Sequence, residues 1–130
     1  MEDAHELELF EQAKAGDLVS MKANLAANSL NVNCANDSYW TPLIWAACNG
    51  HDEVVHFLLE RGADANAQNE QGTSALHMAA YNGHSAVLAT LLKAGASTEV
   101  EDNDGKTPLA YALDEGDEEA VAALKAAAKK

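Results

Sequence analysis

A repeat of 33 residues runs along most of this chain and restricts its possible folds more than any other feature. Glycine returns at this interval at Gly50, Gly83 and Gly116, each time after a short apolar segment. Other positions keep the same step: Ala46, Ala79 and Ala112; Leu43, Leu76 and Leu109; Leu58, Leu91 and Leu124. An earlier copy covers residues 13–17, offset by 34. We therefore divide the chain into four units, at about 3–35, 36–68, 69–101 and 102–130.

Each unit carries signals for two short helices. Thr41-Pro42 suits the start of the first, because a hydroxyl accepts hydrogen bonds from free backbone N–H groups and proline needs no donor there. This helix is predicted to stop at Gly50, and a second to run from about 52 to 60 and end at Gly62. Helices under ten residues cannot bury an apolar face alone, so the copies must stack. The prediction is an all-α solenoid of four helix-turn-helix units, with short hairpin-like loops between them.

These residues resemble the ankyrin repeat, and the resemblance covers nearly the whole chain. The second unit supplies Thr41-Pro42-Leu43, Ala46-Ala47, Gly50-His51, Val54-Val55, Leu58-Leu59, Gly62-Ala63-Asp64 and Asn66. The third supplies Gly72, Leu76-His77, Ala79-Ala80, Gly83-His84 and Gly95-Ala96, and the fourth supplies Asp102, Gly105, Thr107-Pro108-Leu109 and Gly116. The resemblance implies one ankyrin-repeat domain over residues 1–130, resembling small free-standing ankyrin proteins, and we expect a monomer.

The two end units depart from the pattern in ways that suit caps, because the ends of a solenoid face water. The first unit opens with polar residues, and the last stops before its Gly-Ala-Asp segment. The tail, residues 126–130, places lysines near a predicted helix C-terminus, where the helix dipole favours cations. We therefore expect a complete chain.

Charge excludes several classes of partner. The 8 Lys plus Arg residues face 21 Asp plus Glu residues, for a net charge of −13. Such a surface disfavours nucleic acid and anionic membranes, since both bind through cationic contacts. No basic, apolar secretory signal opens the chain, and two cysteines make no disulfide framework. We expect a cytoplasmic protein, with the nucleus as the alternative location.

Ankyrin domains generally bind proteins, and the resemblance implies a concave face made by the finger loops and the first helix of each unit. Across the stack, a strip of first-helix side chains runs from Lys14 through aromatic and methionine positions to acidic ones. Aromatic residues and methionine are favoured at the centres of binding patches. The predicted contact residues are Tyr39, Trp40, Trp45, Cys48, Asn49, Gln71, Thr73, Met78, Tyr81, Asn82, Asp104, Tyr111, Asp114 and Glu115.

Several of these residues have a second interpretation. Trp45, Met78 and Tyr111 could pack between neighbouring first helices, and Trp40 could lie on the adjacent finger, whereas Tyr81 is expected to point outward. Tyr39 stands where the other units have a turn glycine. Because tyrosine tolerates positive φ poorly, this turn either has another geometry or carries strain.

A catalytic, metal or cofactor site is not predicted. The histidines His51, His77 and His84 occupy family positions that imply hydrogen bonds to local backbone. His51 and His56 lack the i, i+4 spacing of a helical zinc pair, and no C-x-x-C sequence occurs. Cys48 has no evident paired base. Neither an EF-hand loop nor a glycine-rich phosphate loop is present.

The predicted function is therefore non-catalytic binding of another protein. The nine acidic residues between Glu99 and Glu119, against the single Lys106, favour a partner with a basic or amphipathic segment. The alternative is an inhibitory subunit that blocks an enzyme such as a kinase by the same surface. The two hypotheses share one sequence signature, and an assay of the partner's own activity separates them.

Overall fold

The computed structural model describes residues 3–128, which form eight helices. Their bounds are α1 Ala4–Ala15, α2 Leu18–Asn28, α3 Pro42–Cys48, α4 Asp52–Glu60, α5 Ala75–Asn82, α6 Ser85–Lys93, α7 Pro108–Glu115 and α8 Glu118–Ala128. No strand forms among these residues, apart from one isolated antiparallel bridge between Gln68 and Ser74. The all-α solenoid prediction is confirmed, and the predicted second helix at 52–60 coincides with α4.

Hydroxyl residues begin three of the helices, as the sequence predicts. Thr41 Oγ1 accepts from the backbone N–H of Ile44 at 3.2 Å. Thr107 Oγ1 accepts from that of Ala110 at 3.3 Å. In α5 the cap is Ser74, although alanine replaces the proline found in the second and fourth units. Each cap satisfies a backbone donor that the first helical turn leaves free.

The helices stack in two layers. We call α1, α3, α5 and α7 the inner helices, each of which packs on the next, and α2, α4, α6 and α8 the outer helices. The inner layer is close because its facing side chains are small. The alanines at the contacts are at most 1% exposed: Ala46, Ala47, Ala79, Ala80 and Ala112. Larger aliphatic side chains, among them Leu58, Leu91 and Leu124, fill the space between the layers.

Two histidines, at the starts of α4 and α6, tie the second unit to the first and the third unit to the second. His51 Nε2 donates to Lys14 O at 2.7 Å, and His84 Nε2 donates to Cys48 O at 3.0 Å. A Cβ atom at Gly16 would stand 2.5 Å from the His51 ring, and one at Gly50 would stand 2.7 Å from the His84 ring. Glycine is therefore required there by the close approach of the imidazole as well as by positive φ.

The prediction that the family histidines bond to local backbone is wrong in one respect. The carbonyls that accept from His51 and His84 belong to the preceding unit, and His77 Nε2 donates to Lys106 O of the following unit at 2.8 Å. Stacking brings neighbouring units within reach of an imidazole, so these bonds hold units together.

Among residues 3–128, no helix is long and apolar enough to cross a bilayer. The predicted cap role of the last lysines, Lys129 and Lys130, lies outside the described residues.

Candidate functional site

Three five-residue loops, which we call the fingers, precede α3, α5 and α7 and share one construction. They are 36–40, 69–73 and 102–106. In each, the first side chain accepts two backbone N–H bonds through one oxygen, and these are 2.9–3.0 Å long. The accepting residues are Asn36, Asn69 and Asp102. Sequence reasoning missed this role, although an amide or carboxylate residue at the 33-residue step was the available signal.

The fingers also bond to one another through the backbone. Glu70 N donates to Ser38 O, and Asn103 N donates to Gln71 O, both at 2.9 Å. The side chain of Asn103 adds a bond to Glu70 O at 2.9 Å. These bonds fix the spacing of the finger tips, so side chains displayed on them are held in register along the stack.

Tyr39 lies at the tip of the first finger with positive φ. Its N–H donates to Asn36 O at 2.9 Å, as the turn glycines of the other two fingers do to their own first residues. The turn geometry is therefore the shared one, and Tyr39 adopts it with φ 64°. This left-handed conformation strains a residue with a side chain. The ring is 63% exposed, so no burial offsets the strain.

Trp40 and Trp45 stack on each other beside the first finger. Their ring centroids are 4.1 Å apart, and Lys14 Nζ lies 4.1 Å from the Trp45 centroid. Trp40 therefore packs on Trp45 of α3, in its own unit, and its contact with a partner stays a prediction. This stack is favourable because offset aromatic pairs are stabilised by more than the area that they bury. Within residues 3–128, Trp45 Nε1 is buried without a hydrogen-bond partner.

A second aromatic group lies between α5 and α7. The rings of Tyr81 and Tyr111 meet edge to face, with centroids 5.7 Å apart. Tyr81 is 53% exposed, as predicted, whereas Tyr111 is half-buried. The Tyr111 hydroxyl donates to Asp102 Oδ2. This bond, with burial and nearby carboxylates, raises the pKa of Tyr111 to about 12.

The third unit has different residues at the two positions that correspond to Tyr111 and Asp102, the donor and acceptor of that hydrogen bond. Asn69 stands in the place of Asp102, and Met78 in the place of Tyr111. Methionine offers no hydroxyl, and Asn69 Nδ2 is buried without a partner among the described residues. The carboxylate at position 102 thus matches the tyrosine hydroxyl that donates to it. Burial opposes ionisation of Asp102, but hydrogen bonds from Tyr111 and from the Lys106 and Asp104 amides prevail and lower its pKa.

Cys48, Asn49 and Asn82 belong to the inner-helix stack as much as to its surface. Asn49 Nδ2 donates to Lys14 O, and Asn82 Nδ2 donates to Cys48 O, both at 3.1 Å. Both amides therefore cross between units, although their side chains remain exposed. Burial raises the pKa of the Cys48 thiol, which reduces its reactivity at neutral pH.

The predicted contact residues lie in the fingers and in or at the ends of the inner helices, and none of them is fully buried. Eight are exposed: Tyr39, Asn49, Gln71, Tyr81, Asn82, Asp104, Asp114 and Glu115. Six are half-buried: Trp40, Trp45, Cys48, Thr73, Met78 and Tyr111. Of the two interpretations of Trp45, Met78 and Tyr111, packing against the core holds for all three, and each keeps some accessible surface.

Leu7 and Phe10 belong to this region and were not predicted. They line a groove of about 380 Å³ with Trp45 and Lys14, between α1 and the first finger. The described residues include no finger loop before α1, and the groove lies beside the finger of the second unit. The apolar residues of α1 that face the second unit's finger would have been the signal.

The site offers hydrogen bonding, aromatic surface and charge. Within residues 3–128, no three histidine, cysteine or acidic side chains converge as metal ligands would. The fourth-unit acids lie beside the aromatic group, and Lys106 Nζ pairs with Asp114 at 3.3 Å. The surface thus changes along the stack, from aromatic and cationic at Trp45 and Lys14 to aromatic and acidic at Tyr111.

Comparison with known proteins agrees with this architecture. A family model described as ankyrin repeats in three copies matches residues 9–102 and 62–130. Human ankyrin repeat and SAM domain-containing protein 3 is 38% identical over 60 residues, which cover 46% of this chain and 9% of that protein. Human DNA-binding protein RFXANK is 41% identical over 58 residues, covering 45% of this chain and 22% of that protein. Human NAD-capped RNA hydrolase NUDT12 is 40% identical over 52 residues, covering 40% of this chain and 11% of that protein.

These relatives are much longer proteins, and the alignments span less than a quarter of each. The likeness therefore concerns the repeats. The matches to the family model, in contrast, together extend from residue 9, within α1, to residue 130. With four stacked helix pairs and three fingers of one construction, the chain belongs to the ankyrin-repeat family.

Proposed function

We propose that this protein binds another polypeptide, without catalysing a reaction, through its finger tips and inner helices. Ankyrin repeats generally mediate protein–protein interactions and are typically non-catalytic. The observation that carries the proposal is a row of accessible aromatic and methionine side chains that follows the fingers and inner helices. Its members are Tyr39, Trp40, Trp45, Met78, Tyr81 and Tyr111.

The chemistry of this row indicates what the partner supplies. Apolar or aromatic anchors suit the second and third units, where Trp45 and Met78 expose surface beside the core. Basic residues suit the fourth unit, where Asp104, Asp114 and Glu115 are exposed. The overall charge of −13 would also speed the approach of a cationic segment.

Selection of a random peptide library on the purified protein tests the face directly. Peptides recovered from it are synthesised and titrated by calorimetry into wild type and Tyr81→Ala. We expect Tyr81→Ala to weaken binding at least tenfold, roughly the loss seen when an interface anchor is removed. Val19→Ala on the outer helix α2, where the side chain is 81% exposed, is the control and should leave affinity unchanged.

Charge reversal at two places separates local contact from general attraction. Asp114→Lys with Glu115→Lys changes the end of α7, whereas Glu118→Lys with Glu119→Lys makes the same change at the start of α8. Basic peptides should lose more affinity with the α7 pair. Equal losses, or selected peptides indifferent to Tyr81→Ala, would show that binding occurs elsewhere. An adaptor and an inhibitor would use this face alike, and the partner's activity in its presence distinguishes them.

A further inference from the structure

A pocket opens between α5 and α7 on the face described above. It has a volume of about 320 Å³ and is lined by Thr73, His77, Met78, Tyr81 and Tyr111. This volume is at the lower end of the range for ligand sites, which suits a single long side chain. The pocket walls are mostly aromatic and apolar, and the two tyrosine rings stand at 81° to each other.

Tyr111 is held in place before any partner arrives. Its hydroxyl donates to Asp102, and the His77 ring meets it edge to face with centroids 5.6 Å apart. His77 is itself 1% exposed and bonded at both ring nitrogens. The face of the Tyr111 ring is therefore fixed in orientation, and a fixed aromatic face is a ready site for a cation.

A lysine of this chain, Lys106, already lies near the Tyr111 ring. Lys106 Nζ lies 5.4 Å from the Tyr111 ring centroid and 3.3 Å from Asp114 Oδ2. The Lys106 and Asp114 side chains are 46% and 60% exposed. Exposed ion pairs of this kind contribute little, because water screens them and two flexible side chains must be ordered. Lys106 thus marks a cation site that it occupies weakly.

We propose that this pocket binds one cationic side chain of the partner, arginine or lysine, which displaces Lys106 from Tyr111 and Asp114. The proposal rests on the proposed function, since it names the part of the partner that this face recognises. The aliphatic stem of such a side chain would lie along Met78 and Tyr81, and its charged end would meet Asp114. Asp102 and Asp104 add to the negative potential at Tyr111.

Short peptides test the pocket independently of any selected partner. Acetyl-Gly-Arg-Gly-amide and acetyl-Gly-Lys-Gly-amide are titrated into ¹⁵N-labelled protein and followed by amide chemical shifts. Acetyl-Gly-citrulline-Gly-amide is the matched control, because citrulline keeps the shape of arginine without its charge. At least one cationic peptide should give saturable shifts centred on Met78, Tyr81 and Tyr111, and citrulline should give none.

Substitution of Lys106, the lysine that would compete with the peptide, provides the decisive comparison. Lys106→Met keeps the stem and removes the competing charge, so it should tighten binding of the cationic peptide roughly threefold. Lys93→Met removes the same charge from the exposed end of α6 and should change nothing. Asp114→Asn should weaken binding, whereas Glu118→Gln should not.

Three results would overturn the pocket assignment: equal binding of the citrulline peptide, unsaturable shifts over the acidic surface, or equal effects of Lys106→Met and Lys93→Met. If library peptides still depend on Tyr81 in that case, the binding face stands and only the cation site is wrong. If the cationic peptides bind here while no selected peptide depends on Tyr81, the proposed function fails instead.

Discussion

At the scale of single residues, Tyr39 is the one finger position where strain and exposure coincide. Its φ of 64° is adopted by glycine at the equivalent positions, Gly72 and Gly105, and its ring is 63% exposed. A residue that is strained and not buried adds nothing evident to stability. Its aromatic ring at the tip of a finger is what a binding role would retain, because such strain is often found at functional sites.

Tyr39→Gly should therefore stabilise the protein. Relief of the left-handed strain, less the added freedom of glycine in the unfolded chain, should raise the free energy of unfolding by about 1 kcal/mol. Urea denaturation followed by circular dichroism measures it. Gly105→Tyr is the reciprocal control, because a Cβ atom there would make only an ordinary van der Waals contact, at 3.6 Å from Glu101 Oε1, and it should lower stability by a similar amount. Changes of the same sign would contradict the strain argument.

His77 makes the stability depend on pH. It is 1% exposed, its Nδ1 accepts from Ser74 N at 3.1 Å, and its Nε2 donates to Lys106 O at 2.8 Å. Burial lowers its pKa below the ordinary 6.5, against the opposing effects of the Lys106 carbonyl and Asp102. The folded protein therefore resists protonation of this ring. The stability it contributes is complete above pH 6.5 and is lost as the pH falls toward its folded pKa.

Unfolding free energies measured by urea denaturation between pH 7.5 and 5 should show this loss. In His77→Gln the amide can still serve the cap of α5, as glutamine does at the third position of other helices, but it does not titrate. We expect the variant to be less stable at pH 7.5 and to show a shallower decline with acidification. Parallel curves for the two proteins would assign the decline to other groups.

At the scale of helices, the C-terminal end of α7 carries acidic residues that its dipole disfavours. Its last turn contains Asp114 and Glu115 and has no basic residue. The C-terminal end of a helix carries partial negative charge, so carboxylates there are unfavourable. The next helix, α8, begins with Glu118 and Glu119, where the same charge is favourable. The acids of α7 thus cost stability, which is understandable if they serve the acidic part of the binding face.

Glu115→Lys should raise the free energy of unfolding by about 0.3–1 kcal/mol, because it complements the dipole of α7 and reduces local repulsion. Glu118→Lys makes the same charge change at the favourable end of α8 and should lower it. Thermal and urea unfolding at low ionic strength measure both. If the two variants shift stability in the same direction, net charge and not helix polarity is responsible.

The helices and their order were predictable because the sequence states the same pattern several times. Capping residues, closing glycines and the 33-residue step agree in the second and third units and in the first helix of the fourth, and α4 matches its predicted bounds. The bonds between units were less predictable. His51 reaches back to the preceding unit and His77 forward to the next, since these distances depend on how the units pack. The Trp40–Trp45 stack likewise depends on a loop conformation that spacing does not specify.

At the scale of the whole molecule, short-range stacking is opposed by long-range repulsion. Each inner helix packs mainly on the neighbouring inner helices and on the outer helix of its own unit, as expected of a solenoid. Charge acts across all units, and the net −13 on 130 residues favours the expanded unfolded chain over the compact one. The acidic surface that would attract a basic partner is therefore also a source of instability.

Added salt should stabilise the free protein, because it screens repulsion between exposed carboxylates more strongly than it affects buried contacts. The urea midpoint should rise between 20 and 300 mM NaCl with little change in slope. Sodium sulfate also strengthens apolar burial, so the two salts are compared at equal ionic strength. A midpoint that responds to sulfate alone would show that repulsion is unimportant. The same NaCl increase should slow association of a basic peptide in stopped-flow mixing. The negative charge that destabilises the free protein also attracts the peptide, and salt screens both interactions.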